Sequence, residues 1–321
     1  MSKNKFVLLP IIMLGFILIV RSNLHSMAIM IPVMSTIQKT LNSSAIVIGK
    51  VTEIEKETVK AIPFANSKDK VDYVVATIKI NEVIKGVKDE THIRVGWQKP
   101  LNTPINPNVL PGGPIKGPIL RRPPIRRPAQ ITLTVGQEGC FFLQKHPSGD
   151  FYTINLGMNP LDSKAASFKN ELGSVKKVLT TLKKPLEALS ANETNEREWA
   201  ASILLQSYRS YPQNPQNKKV IQEPVGKEIS QKILHLMSQM KWVNGGVNGG
   251  IGARIGGPAP TRAPVQLANM FYSLNLTNED GWVQPKFVQG KDFNEMMGKA
   301  VHAWLEKHAD TYQIKRHVLE K

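Results

Sequence analysis

The sequence predicts an α+β protein in two parts, a five-stranded β unit over residues 44–157 and a small α-helical domain over residues 162–321. Three observations point there. Apolar residues recur with period two from Ser44 to Leu156, they recur at helical spacing after Leu156, and two stretches that hold neither pattern, 98–130 and 244–264, interrupt the chain.

The N-terminus is read as a targeting segment and set apart from the fold. Lys3 and Lys5 precede an apolar run from Phe6 to Val20 that closes at Arg21. About 15 residues is short for a membrane span, which needs roughly 20, and suits the apolar core of a secretory signal. Ser26 and Ala28 provide small residues for a cut after Ala28, making 1–28 the signal peptide. Ile29 to Met34 is apolar again, so an uncleaved anchor from Phe6 to Met34 is the rival. Either way the rest is exported, to the periplasm, the cell envelope or the outside. No cysteine follows the run as a lipoprotein anchor would require, because Cys140 stands alone in the chain. An exported chain without paired cysteines must hold itself together by packing.

Five strands are predicted in order. Ala45 to Glu55 opens with Ile46, Val47 and Ile48. Val71 to Val83 alternates, with Val74, Ala76, Ile78 and Ile80 on one face and Tyr73, Thr77 and Lys79 on the other, and Asn81 to Gly86 turns the chain onward. Thr91 to Trp97 sends Ile93, Val95 and Trp97 inward and His92 and Arg94 outward. Gly139 to Gln144 and Phe151 to Leu156 form a hairpin across His146 to Asp150. Cys140, inside the fourth strand, reads as a small core residue rather than a nucleophile.

Between the third and fourth strands, the stretch 98–130 is rich in Pro, Gly and Arg and has too few apolar anchors to pack. It holds Lys99, Lys116, Arg121, Arg122, Arg126 and Arg127 and no acid. An extended, polyproline-like backbone there would show guanidinium groups to solvent, which makes Lys116, Arg121, Arg122, Arg126 and Arg127 candidate anion-binding residues. The alternative is a solvated insertion whose charge only keeps it soluble. The whole chain carries a formal net charge of +17, from 42 Lys and Arg against 25 Asp and Glu, and such a field favours anionic partners.

Helices follow. Phe168, Leu172, Val175, Leu179 and Leu182 share one face, and Pro185 interrupts that helix. Ala200, Ile203, Leu204 and Tyr208 mark the next, and Ile229, Ile233, Leu236, Met237 and Met240 a third. The glycine-rich stretch 244–264 reads as a linker; no Lys-Ser or Lys-Thr follows its glycines, so it is not a phosphate loop. A helix near Gln266 to Asn275 comes after it. The last helix starts at Asp292, with Asp292 and Glu295 as a capping-box-like pair ahead of Met296, Met297, Val301, Trp304 and Leu305.

The segments Ser44-Ala-Ile-Val-Ile-Gly-Lys-Val-Thr-Glu-Ile-Glu55, Ile80-Asn-Glu-Val-Ile-Lys-Gly86 and Val135-Gly-Gln-Glu-Gly-Cys-Phe-Phe-Leu143, in that order, resemble the netrin-like, metalloprotease-inhibitor-like OB domain. With Gly281-Trp282 and Phe293-Asn-Glu-Met-Met297 in the helical half, the exported part is similar to a family of uncharacterised planctomycete secreted proteins. The resemblance implies a five-stranded OB-like β-barrel for the N-terminal part and an extracytoplasmic location, and no activity. Inhibitors of the netrin-like type use an N-terminal cysteine aimed at the protease zinc. The region before Ala45 contains none, so that chemistry does not carry over. The helix around Arg197 to Arg209 resembles a single HEAT-type repeat, and one repeat cannot make an array.

Catalytic signatures are not found in the sequence. The seven histidines are scattered without ligand spacing, and no Gly-x-Ser-x-Gly elbow occurs. Acidic pairs such as Asp89-Glu90 and Glu279-Asp280 fall in turn-like segments where carboxylates usually face water. Tyr73 and Trp97 are read as core or, if exposed, as platforms for a base or a sugar. The expectation is an exported, non-catalytic binding or adaptor protein of the cell envelope, partnered by an anionic glycan, a lipid surface or an envelope protein. It needs no cofactor, no metal and no specific nucleic acid, and its oligomeric state is open. Alternatives are an inhibitor or regulator of an envelope protease and a hydrolase with a dispersed site.

Overall fold

The structure is a computed structural model that describes residues 34–64, 67–99, 131–147, 150–212, 218–242 and 266–320. The predicted signal segment 1–28, the Pro- and Arg-rich insertion from residue 100 to 130 and the glycine-rich stretch 244–264 lie outside the described residues. What is described is α+β, with seven strands in one sheet, two in another and seven α-helices among the described residues.

The chain enters through α1 (Thr36–Asn42), a helix the periodicity did not predict. Its signal is a capping box: the Ser35 hydroxyl accepts from the Gln38 amide and the Gln38 side chain accepts from the Ser35 amide. The five predicted strands follow as β1 (Ala45–Ile54), β3 (Val71–Lys85), β4 (His92–Gln98), β5 (Glu138–Lys145) and β6 (Tyr152–Thr153). Two short strands join them, β2 (Val59–Ala61) beside β3 and β7 (Leu161–Asp162) beside β5. β3 runs on to Lys85, so the predicted turn begins only at Gly86.

The pairings close on themselves. Going round, β1 pairs β3, β3 pairs β4, β4 pairs β6, β6 pairs β5 and β5 returns to β1. The β4–β6 contact is parallel and the others are antiparallel. Val74, Ala76, Ile78, Ile93, Val95 and Trp97 turn to the inside, as the alternation predicts, and share that core with Ile46, Val47, Val51, Phe141, Phe142 and Leu143. After the insertion, Ile131 and Leu133 return into this same core.

Helices α2 (Phe168–Lys183) and α3 (Pro185–Leu189) are separated at Lys184, with Pro185 at the first position of the second helix, where its missing N–H costs nothing. The apolar stripe of α2 is divided between two cores. Phe168, Leu172, Val175 and Leu179 pack on the sheet, whereas Leu182 belongs with the helices that follow. The helix is therefore as much a lid on the sheet as the first element of a helical domain. α4 (Thr194–Arg209), α5 (Lys227–Gln239), α6 (Leu267–Leu274) and α7 (Phe293–His308) bury Leu204, Leu205, Ile233, Met237, Phe271, Val301 and Trp304 together.

Two details differ from expectation. Asp292 caps α7 by accepting from the Asn294 and Glu295 amides, but the Glu295 side chain pairs with Lys299 instead of completing a box. The C-terminal half is also not wholly helical: β8 (Val220–Pro224) pairs antiparallel with β9 (Lys315–Leu319), tying the chain end back beside α4.

Candidate ligand-facing end of the sheet

Two connections meet at one end of the ring. The β1–β3 connection carries β2, which pairs with Val71–Tyr73 at the start of β3, and the β5–β6 connection runs from His146 to Phe151. Between them, on the outside of β3 and β4, lies a small second core of Ala61, Tyr73, Val75 and Phe151. The His146 ring stacks on Phe151 at 4.6 Å and meets Tyr73 edge-on at 5.2 Å. Burial among these rings lowers the His146 pKa, with a backbone contact to Ile62 acting in the opposite direction. Gly96 makes this packing possible, because a Cβ there would stand 2.7 Å from the Phe151 ring.

Beside this cluster Arg94 ties the two connections together. Its Nε and Nη2 donate to the two carboxylate oxygens of Glu55 at 2.8 and 3.0 Å, and its Nη1 donates to Asp150 at 2.5 Å. The Glu55 hydrogen bonds hold the guanidinium pKa above its ordinary value. One cation facing two carboxylates has no charge to spare for an anionic ligand, so Arg94 works here as a clasp. Along the same outer face the next cross-strand pair is Lys79 and His92, both exposed, with Lys50 in register beside Lys79.

The predicted residues fare unevenly. Tyr73 and Trp97 are 3% and 4% exposed, Tyr73 under β2 and Trp97 in the main core, so neither can stack on a ligand. Cys140 is buried, and burial pushes its thiol up to about 12, which removes it as a nucleophile. Asp280, expected as a turn carboxylate facing water, is 9% exposed in its side chain and ion-paired to Lys315 at 2.9 Å. Arg121, Arg122, Arg126, Arg127 and Lys116 lie outside the described residues. Arg94, Glu55 and Asp150 were not grouped from sequence, since nothing local links residues so far apart in the chain.

Among the described residues no group of three or more His, Cys, Asp or Glu is placed to hold a metal ion, and no described helix is long and apolar enough to cross a membrane. Comparison with known proteins gives no matching family model and no matching curated sequence.

Proposed function

We propose that this chain is an exported, non-catalytic binding or adaptor protein of the cell envelope, built on an OB-like β-barrel and recognising an anionic partner. The barrel assignment is supported by the order of pairing. With the short strands β2 and β7 set aside, the ring reads first, second, third, fifth, fourth and back to first, with its one parallel contact between third and fifth. A small five-stranded Greek-key barrel of this kind uses its second and third strands and the loops at their end to bind ligands.

The observation that carries the partner class is the charge of the insertion between β4 and β5, which contributes Lys116, Arg121, Arg122, Arg126 and Arg127 without any acid to a chain of net charge +17. An anionic glycan or lipid surface is the matching partner. Binding to heparin and to vesicles containing phosphatidylglycerol, measured against salt, is the test. The parent should lose affinity steeply as salt rises, and replacing Arg121, Arg122, Arg126 and Arg127 by glutamine should weaken binding and flatten the salt slope. Equal binding of the two proteins at low salt overturns the anionic partner. Export is tested separately by N-terminal sequencing: a mature chain starting near Ile29 supports a cleaved signal, and one starting near Met1 in the membrane fraction supports the anchor.

A protease-inhibitor role is less well supported. The segment just ahead of β1 is the packed helix α1, held by the Thr36 hydroxyl donating to Glu171 and by the Lys39 ammonium donating to the Asn159 carbonyl, and not a free arm.

A further inference from the structure

The β8–β9 pair, the turn after α7 and the 3-10 turn Asn278–Asp280 border an open cleft of about 390 Å³. Gln222, Pro224, Asp280, Thr311, Tyr312, Gln313 and Lys315 line it. We propose that this cleft binds a short neutral saccharide. The inference goes beyond the anionic partner proposed above and rests on different residues.

The lining selects the ligand chemistry. Gln313 presents an amide that can donate and accept, Thr311 adds a hydroxyl that does both, and Gln222 adds an amide whose nitrogen already meets His317 Nε2 at 3.4 Å. Such groups match vicinal hydroxyls, which also donate and accept. Tyr312 supplies aromatic surface for the apolar face of a sugar ring. Asp280 and Lys315 are the two charged groups of the lining, and they neutralise each other at 2.9 Å. The one cation of the lining itself is thus already paired, and an apolar ligand would strip water from amides without replacing their hydrogen bonds. The volume falls within the roughly 300–1,000 Å³ of small-molecule sites.

The site is also built before any ligand arrives. Asp280 accepts from the Thr277 amide and hydroxyl with one oxygen and from Lys315 with the other, and its own carbonyl accepts from the Trp304 indole. Lys315 and hydrogen bonds from Thr277 hold the Asp280 carboxyl below its ordinary range against the effect of burial. Tyr312 packs edge-on against Trp304 at 5.2 Å, and its amide donates to the His308 carbonyl. The β8–β9 register sets Gln222 across from His317 and Pro224 across from Lys315. Preorganisation of this kind removes the ordering cost that otherwise weakens small-ligand binding.

The test is a titration of the full mature protein with maltose, cellobiose and N,N′-diacetylchitobiose, followed by saturation-transfer NMR, with glucuronic acid as the anionic comparison. At least one neutral disaccharide should bind saturably, with Kd of about 1 mM or tighter and no dependence on salt. Gln222 and Gln313 are exposed, so the double variant Gln222→Ala, Gln313→Ala keeps its fold, checked by an unchanged melting temperature, and should bind at least ~10-fold more weakly. No saturation by any of the neutral disaccharides at about 10 mM overturns the proposal. So does binding retained within about twofold in the double variant, or a salt-dependent preference for glucuronic acid.

Discussion

The ammonium of Lys85, at the end of β3, donates to the main-chain carbonyl of Ser43 at 2.6 Å and reaches the Thr40 carbonyl at 3.5 Å. These carbonyls belong to the C-terminal turn of α1, where acceptors have no helical partner and a cation is favoured. The segment Ile80 to Gly86 thus fastens the entry helix to the sheet.

Lys85→Met should lower stability by about 1–2 kcal/mol, because the carbonyls lose a charged donor while the methionine recovers some packing. Lys176→Met, which removes an exposed pair with Glu82, should cost no more than about 0.5 kcal/mol. Urea denaturation of the two variants beside the parent checks the contrast. Equal effects would mean that Lys85 is no more than a surface charge.

Gly86 has φ +76, and a Cβ there would lie 2.0 Å from the Ser44 carbonyl oxygen. Gly136 has φ +85 but meets nothing within 4 Å. Gly136→Ala should therefore cost about 1–2 kcal/mol, from backbone strain alone. Gly86→Ala adds a backbone clash and should cost about 3–5 kcal/mol. The measurement is the difference between their unfolding midpoints, with Gly86→Ala well below Gly136→Ala.

For the Arg94 clasp, Arg94→Ala should cost about 1–2 kcal/mol and expose the β1–β3 and β5–β6 connections to limited proteolysis. Arg94→Lys should recover less than half, since an ammonium cannot form the two-pronged contact with Glu55. Asp150 is 75% exposed, so Asp150→Asn should stay within about 0.5 kcal/mol. A double-mutant cycle between Arg94 and Glu55 should give the larger coupling of the two carboxylates.

Cys140 sets an alkaline limit. Its thiol has an ordinary value of 9.0 and is pushed up to about 12 in the fold. Between those values the unfolded chain has lost the proton that the folded chain keeps, so stability is full below pH 9 and falls as pH rises toward 12. The loss amounts to at most ~1.4 kcal/mol per pH unit, or ~4 kcal/mol in all. Cys140→Ala should be less stable at neutral pH, through the cavity, yet show a shallower alkaline decline. Tyr312, also pushed up to about 12, adds its own decline in both proteins, and Lys85, held low by burial, acts oppositely in both, so these two contributions cancel in the comparison; Lys39, held low by burial and raised by the Cys140 charge, is coupled to the thiol and belongs to the difference being measured. Parallel alkaline slopes for the two proteins would exclude the thiol as the cause.

The amino-acid sequence alone determined the five long-range strands of the ring and most helices of this protein, but not the short β2 and β7 or the β8–β9 pair. Alternation in Val71 to Val83 separated the inward Val74, Ala76 and Ile78 from the outward Lys79, and Pro185 marked the break after α2. These features are local: the pleat and the helical turn impose a period on whichever face is buried, and that period can be read within one segment. Tertiary structure decided what each face meets. Tyr73 is on the predicted outer face but is buried by β2 and Phe151; the stripe of α2 is shared between two cores; Asp280 finds Lys315 across 35 positions, and Arg94 finds Glu55 across 39. The closing of the ring, β5 onto β1, joins segments that no local pattern connects. A side chain's period records whether it is covered, but its partner is selected by chain segments brought together only on folding, and both the clasp and the cleft are made of such partners.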